Sequence, residues 1–406
     1  MGPDGPPNTK GDHVADRLTR VRQFSIELTN VCNEDCTFCA TQFINRRNGV
    51  MDFALAKRLI KEVADTDFCD VVTTNVMGEP TLYKQLIELV EYANSVNQKV
   101  QIITNGERLD EQLATRLLKL NPYAVGLSFH ATDAESFKFK RSRLSFDTYR
   151  ERAFGFIDLK FKLKATTNIT FNVLSTRLRS ADQFTIAESK EKLDRFAADI
   201  FDFTHGIKKK YGLRWPVPDL FTHGNQMLLP GVSFLLHDGY HTWSNQIIPE
   251  DATVVPRSRY CGEPFEQFNV LWNGDVVLCC IDYNGELVYD NVVDKSILDV
   301  FNNDRMRALR REFLRGGDIP TKCQHCLGEV VNTSDGQPYQ YRGETPVLTA
   351  GERVKKNVHR AVRLFYNGNV AAVLKDRLLG TRLGSRLHDV VAGRPYELDP
   401  DKRNMT

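Results

Sequence analysis

The sequence predicts an α/β chain: a partial (β/α)6 barrel over residues 23–230, a small α+β domain over 231–335 that carries the second of two cysteine sets, and a basic helical extension over 336–406. Three observations predict this. Runs of β type alternate with helical patterns up to about residue 217, and from about residue 231 the alternation gives way to loops and a hairpin. Residues 351–406 hold 12 basic and 6 acidic side chains, a charge of +6, whereas residues 1–350 sum to −4. Strands separated by helices of ten or more residues build βαβ units and a parallel sheet.

Residues 1–22 are read as a disordered leader, because three Pro and three Gly fall in the first twenty positions and no apolar periodicity precedes Val21. Strands are expected at Gln23 to Leu28, Val71 to Val76, Val100 to Ile103, Ala124 to Phe129 and Ala165 to Leu174, with a sixth at Gly212 to Val217. Between them, helical periodicity covers Phe53 to Ala64, Leu82 to Val96, Glu111 to Leu120, Phe146 to Ile157 and the more polar Ser180 to Lys210. In such folds the chemistry gathers on loops at the carboxyl ends of the strands. The hairpin runs Phe268 to Leu271, Asn273-Gly274, Val276 to Cys280, since Asn-Gly between apolar runs favours a tight reversal. A helix over Ser296 to Leu314 and a loop over Lys322 to Gly328 follow. In the tail, Val354, Val358, Val362 and Phe365 form one apolar stripe, and Val370, Val373, Leu374 and Leu378 another.

The chain has 406 residues, with 54 Lys plus Arg against 52 Asp plus Glu, and nine cysteines. That near balance of charge gives no case for nucleic acid as a partner. No run approaches the roughly 18 to 20 apolar residues that cross a bilayer, and the N-terminus has no apolar signal-peptide core, so a cytoplasmic protein is expected. An odd cysteine count without a secretory address points to thiolates that hold metal or do chemistry.

Cys32-Asn33-Glu34-Asp35-Cys36-Thr37-Phe38-Cys39 follows the first strand. Three thiolates on one short loop hold three corners of a 4Fe-4S cube and leave the fourth iron open to a small ligand. The alternative is a zinc site of Cys36, Cys39, Cys323 and Cys326, which leaves Cys32 without a role. Cys261, Cys279, Cys323 and Cys326 form the second set, whose four thiolates suit a saturated, electron-carrying 4Fe-4S cluster or else a structural zinc knuckle. Cys69 and Cys280 are left over. Strand alternation turns Cys280 away from the face of Cys279. Each leftover thiol is either an inert buried group or a hydrogen-atom donor to a substrate radical.

The CxxxCxxC spacing, with Phe38 before its third cysteine, resembles the signature of radical SAM enzymes. The resemblance extends along the barrel. Met77-Gly78-Glu79-Pro80 looks like the Gly-Gly-Glu-type motif of that family, with Met77 in place of the first glycine, and implies that Gly78 and Glu79 bind the methionine amino group of S-adenosylmethionine. Thr104-Asn105-Gly106 closes the third strand as is usual in these enzymes. Ser128 matches the ribose contact, Asn168 or Asn172 its polar partner, and Arg141 or Arg143 the arginine toward the methionine carboxylate. Cys261, Gly274, Cys279 and the Cys323/Cys326 pair resemble the one-cluster form of the SPASM domain, the twitch domain.

Two 4Fe-4S clusters and S-adenosylmethionine are the cofactors this resemblance implies, with a flavodoxin- or ferredoxin-type protein as electron donor. The implied chemistry is reductive cleavage to a 5′-deoxyadenosyl radical that abstracts hydrogen from a C–H bond. Twitch-type enzymes that this chain resembles often act on carbohydrates, and the short leader is read as too little chain for a peptide-binding module. The expected reaction is therefore dehydrogenation of a carbohydrate or cyclitol-like substrate, with one electron passing to the auxiliary cluster. Epimerisation through a cysteine thiol and peptide maturation are the alternatives. His130, His223, Asn225, Asp282 and Tyr283 are candidate substrate contacts. The basic tail is expected to pack on the barrel, with peripheral membrane contact or capture of an anionic glycan as its other roles.

Overall fold

Both faces of the first strand are covered. Along β1 (Gln23–Ile26), Phe24 and Ile26 point to one side and Ser25 to the other, and all three are fully buried. A strand buried on both faces belongs in the middle of a parallel sheet, and that is its place in the computed structural model, which describes residues 17–174, 190–216, 224–237, 243–246, 248, 250–257 and 260–338.

The first half alternates as expected. After β1 come α1 (Phe53–Thr66), β2 (Val71–Thr73), α2 (Leu86–Ser95), β3 (Lys99–Thr104), α3 (Glu111–Leu120) and β4 (Ala124–Ser128). A single turn, α4 (Ala134–Phe137), then leads to α5 (Phe146–Leu163), β5 (Asn168–Leu174) and α6 (Lys190–Tyr211). Side-chain caps start three of the helices: Asp52, Asp110 and Ser145 accept the backbone N–H of Leu55, Leu113 and Thr148. On α1, Ala56, Leu59, Ile60 and Val63 face the sheet.

The sixth strand is not at Gly212 to Val217. Residues 212–216 are a turn and irregular chain, and Val217 lies outside the described residues. The sixth parallel strand is β7 (Val232–His237), which follows β6 (Gly224–Leu229) through a tight reversal. The expected domain boundary at 230/231 falls in that reversal, between two strands of one sheet. Two apolar runs, Met227 to Leu229 and Val232 to Leu236, flank Pro230-Gly231, a local reversal signal that the expected boundary cuts in two.

The hairpin also joins the same sheet. β9 (Gln267–Val270) lies parallel to β1 with Gln267 beside Gln23, and β10 (Asp275–Val277) and β11 (Val288–Asn291) continue antiparallel from it. The result is an open ten-stranded sheet in the order β11-β10-β9-β1-β2-β3-β4-β5-β7-β6. Aromatic packing secures the joint: Phe24 stacks on Phe268 at 5.3 Å, and Phe68 and Phe301 meet that pair edge-on.

The remaining elements are β8 (Ala252–Val255), α7 (Glu263–Glu266), α8 (Ile297–Phe301), α9 (Asp304–Arg315), α10 (Thr321–Cys326) and β12 (Glu329–Asn332), with β8 and β12 forming a separate antiparallel pair. Two expectations change here. The helix over Ser296 to Leu314 is broken, because Asn302 bonds both backbone groups of Leu18 and Asn303 caps the next helix at Met306 N. The loop over Lys322 to Gly328 is largely α10. The basic tail, residues 351–406, and all of 1–16 lie outside the described residues. Among the described residues no helix is long and apolar enough to cross a membrane.

Candidate active site

The first cysteine set lies on the loop beyond β1, at the carboxyl ends of the parallel strands. Local bonds shape that loop: Cys39 N donates to Cys36 O at 3.0 Å, Thr37 N to Phe139 O at 2.8 Å, and Glu34 N to Cys32 Sγ at 3.5 Å. None of the three cysteines is in a disulfide, all three are half-buried, and they lie close enough to influence one another electrostatically. Burial pushes the Cys32 thiol up to about 12, so an anionic cluster must bring compensating charge and hydrogen bonds. Donors are present: the Glu34 N–H, the Asn105 Nδ2 at 3.7 Å from Cys32 Sγ, and the nearby Lys140 ammonium. Three thiols outside any disulfide, with N–H donors and a cation beside them, fit the site-differentiated 4Fe-4S cluster.

Glu27 braces the floor of this site from the end of β1. Its carboxylate accepts both guanidinium nitrogens of Arg46, the Trp272 N–H at 3.2 Å and a backbone bond from Met77. Arg46 also donates to Tyr283 O at 2.6 Å, so one ion pair joins the cysteine loop, the second strand and the auxiliary region. Burial raises the Glu27 carboxyl, and Arg46 works against that shift.

Gly78 has φ +76°, and a Cβ there would collide with the Thr29 carbonyl. The chain therefore passes hard against the β1 loop at that point, with Glu79 N bonded to Val31 O at 2.9 Å. The Glu79 carboxylate does not face an open site. It accepts Thr81 N at 2.9 Å, Thr81 Oγ1 at 2.7 Å, Thr104 Oγ1 at 2.6 Å and Asn105 N at 2.7 Å. Glu79 thus clamps the end of β2 to the end of β3. Asn105 in turn reaches Asn33 Oδ1 at 3.0 Å, tying the third strand to the cysteine loop.

Ser128 and Asn172 stand side by side across β4 and β5. Asn168 does not join them: it begins β5 at the amino end of the sheet and donates to Tyr123 O at 3.0 Å. Four residues at about 3.3 Å each put it roughly 13 Å from Asn172. Arg141, in the left-handed region at φ +48°, pairs with Asp35 of the cysteine loop at 2.8 Å on the surface, and Arg143 N donates to Glu107. Phe38 is buried, its ring edge-on to His130 at 5.6 Å.

The second set gathers Cys261, Cys323 and Cys326: Cys323 and Cys326 both act on Cys261, and Cys326 acts on Cys323. Burial pushes Cys261 and Cys323 up to about 12. Cys279 and Cys280 lie beyond the end of β10, in a turn, so strand alternation does not apply to them. Their thiols lie close enough to act on each other electrostatically, and Cys280 also influences Cys326. Cys280 therefore belongs with the second set instead of facing away from it.

Cys69 is at the wrong end for a hydrogen donor. It precedes β2, is buried, and donates to Val71 O at 3.3 Å and Arg22 O at 3.6 Å at the amino side of the sheet. The zinc set of Cys36, Cys39, Cys323 and Cys326 is not brought together. Among the described residues no three His, Cys, Asp or Glu side chains converge around one ion position, in this set or in the two cluster sets; zinc needs such convergence, with thiolates about 2.3 Å from a common centre, whereas the thiolates of a cube each bind a different iron.

A short turn links the two cysteine sets. Trp243 Nε1 donates to Phe38 O at 3.3 Å, and Asn245 Nδ2 donates to His325 O and Gly328 O on the Cys323–Cys326 side. Gln246 adds a bond to Lys322 O at 3.0 Å. Trp243, Ser244 and Asn245 all have positive φ, a costly backbone for non-glycine residues. The sequence offers no sign of this turn. Asp282 and Tyr283 lie beside it, but Asp282 is consumed by its own loop, accepting Glu286 N, Leu287 N and Lys322 Nζ. Of Asn225 only the backbone position on β6 is described, and His223 lies outside the described residues.

Residues 26–172 match the radical SAM superfamily, and residues 261–327 match the SPASM iron-sulfur cluster-binding domain. The chain is 33% identical over 122 residues to the mycofactocin maturase MftC of Mycobacterium tuberculosis, 30% of each protein. It is 28% identical over 116 residues to the S-adenosyl-L-methionine-dependent 2-deoxy-scyllo-inosamine dehydrogenase of Niallia circulans, 28% of this chain and 46% of that one. The matched stretch thus spans less than half the length of either relative. The solved structure of BtrN with AdoMet and 2-DOIA aligns with TM-score 0.45 and 19% identity, over 80% of this chain and 98% of that one. Streptococcus suis SuiB bound to precursor peptide SuiA aligns with TM-score 0.48 and 17% identity, over 75% and 69%. The two domain matches fall on the two cysteine-bearing stretches: the chain carries a radical SAM domain and a SPASM iron-sulfur cluster-binding domain, which together imply an S-adenosylmethionine-binding 4Fe-4S cluster and auxiliary cluster binding.

Proposed function

We propose that the chain dehydrogenates a carbohydrate or cyclitol-like substrate, with Cys32, Cys36 and Cys39 holding the S-adenosylmethionine-binding cluster and Cys261, Cys279, Cys323 and Cys326 the auxiliary one. When bound, the first cluster with S-adenosylmethionine supplies a 5′-deoxyadenosyl radical for hydrogen abstraction, and the second supplies a one-electron acceptor. The observation that carries the reading is the Trp243–Gln246 turn, which holds the auxiliary cysteine helix against the Phe38 end of the first loop. An electron acceptor fixed beside the site of radical chemistry suits oxidation.

This chain's residues divide the rest of the work. The Gly78-Glu79 backbone and the Ser128 and Asn172 side chains present polar groups at the strand ends, where S-adenosylmethionine is held. Arg141 steadies the loop through Asp35. Asn172→Ala should weaken S-adenosylmethionine binding about tenfold, the loss of one hydrogen bond of roughly 1.4 kcal/mol, while Asn168→Ala should leave the affinity unchanged, both by calorimetry. Cys69 is a core thiol, and Cys280 sits with the auxiliary set, so neither favours epimerisation.

The test is turnover by anaerobically reconstituted protein with reductant, S-adenosylmethionine and a panel of aminocyclitols and sugars. Dehydrogenation gives 5′-deoxyadenosine and a product two mass units lighter. Deuterium incorporated from solvent with no change in oxidation level would mean epimerisation instead. A second reading, peptide modification, is favoured by the 33% identity to MftC, whose name is that of a maturase. Turnover confined to a peptide would establish it and sink the carbohydrate assignment.

A further inference from the structure

Two charged side chains are buried together under the first cysteine loop. Lys140 Nζ lies 3.5 Å from Glu34 Oε2, and both side chains are 1% exposed. The ammonium also donates to Ser128 O at 2.7 Å, Asn105 O at 3.2 Å and Tyr149 OH at 3.2 Å, and it stands 4.3 Å from the centre of the Tyr149 ring. Glu34 is placed midway between Cys32 and Cys36, and its Oε2 accepts from Cys36 Sγ at 3.5 Å. The other oxygen, Oε1, is buried without a hydrogen-bond partner.

Stability does not account for such a pair. Apolar residues of similar volume in the same two positions are generally as stable as a buried ion pair or more so, while removing one partner leaves an uncompensated charge at high cost. The geometry points to a different role. One ammonium touches the ends of β3, β4 and α5, and through Glu34 it touches the cysteine loop. We propose that Lys140 and Glu34 are positioning residues that hold the first cysteine loop in register with the strand ends and set, with opposite signs, the charge felt by the cluster bound there.

The inference rests on Cys32, Cys36 and Cys39 being the cluster ligands. It differs from a packing role in predicting the sign of an electrochemical effect. A carboxylate left alone beside Cys36 disfavours adding an electron to the cluster, and an ammonium left alone favours it. Lys140→Met should therefore lower the reduced fraction of the first cluster about tenfold at a fixed applied potential, a shift of about 59 mV for one electron. Glu34→Leu should raise it by a similar factor. Both single variants should retain less iron than the parent after reconstitution, and the double variant, Lys140→Met with Glu34→Leu, should recover it.

The measurement is a redox titration of reconstituted full-length protein followed by electron paramagnetic resonance, with the first cluster identified by its response to S-adenosylmethionine. Opposite shifts in the two single variants and recovery of iron in the double variant support the pair. Shifts of the same sign, no shift, or a double variant as poor in iron as the singles would overturn it. Cys36→Ala separates this failure from that of the ligand assignment. If that variant keeps the S-adenosylmethionine-responsive signal, the ligands are misassigned and the proposal falls with them; if it loses the signal, the titrations judge the pair alone.

Discussion

Cys36→Ala should abolish 5′-deoxyadenosine formation and lower the iron content of reconstituted protein from about eight to about four per chain, since one of two cubane clusters is lost. The companion variant Cys326→Ala should lose the same amount of iron but still cleave S-adenosylmethionine, with substrate oxidation stalled. The asymmetry follows from position. Cys36 is on the loop beyond β1 with Glu34 and Phe38, whereas Cys326 is on α10, which the Trp243–Gln246 turn joins to that loop. Iron analysis and product quantification on the same samples check both halves. Equal loss of cleavage in the two variants would remove the distinction between a catalytic and an auxiliary cluster.

Glu79→Ala should destabilise the fold by about 2–5 kcal/mol and eliminate S-adenosylmethionine binding. Four donors converge on this one carboxylate, two of them the backbone N–H groups of Thr81 and Asn105, and Glu79 is almost completely buried. Each buried group left unpaired costs roughly 1–3 kcal/mol, partly relieved where a water enters. The loss extends beyond stability, because the Thr104-Asn105 turn is held by the same bonds and carries the contact to Asn33 of the cysteine loop. Glu79→Gln keeps an acceptor oxygen and should retain part of the stability. Urea unfolding and calorimetric titration measure the two effects separately. An alanine variant with parental stability would mean that the clamp contributes nothing.

Much of the candidate site was legible because its signals are local. A three-cysteine loop has a spacing, and a turn that requires positive φ names its glycine, as Gly78 does. The strand-end motifs could be placed because the α/β alternation put them in order. Choices between near neighbours were not legible. Asn168 and Asn172 differ only in which end of β5 they occupy, and that depends on where the strand begins. Cys279 and Cys280 looked opposed because β10 was drawn three residues too long; once the strand stops at Val277, their thiols meet.

The sequence by itself determined the α/β alternation, the two cysteine sets, the glycine-dependent turn and the two domain matches, since each depends on residues near one another along the chain. Tertiary structure alone decided the rest. It built β9 onto β1 across 244 positions, closed the Glu27–Arg46 pair against the Tyr283 carbonyl, and brought Lys140 to Glu34. No local pattern specifies such contacts: a glutamate within a cysteine loop and a lysine after a helical turn read as solvated charges until packing removes the water from both. Burial turns them into a pair whose members must be kept or lost together.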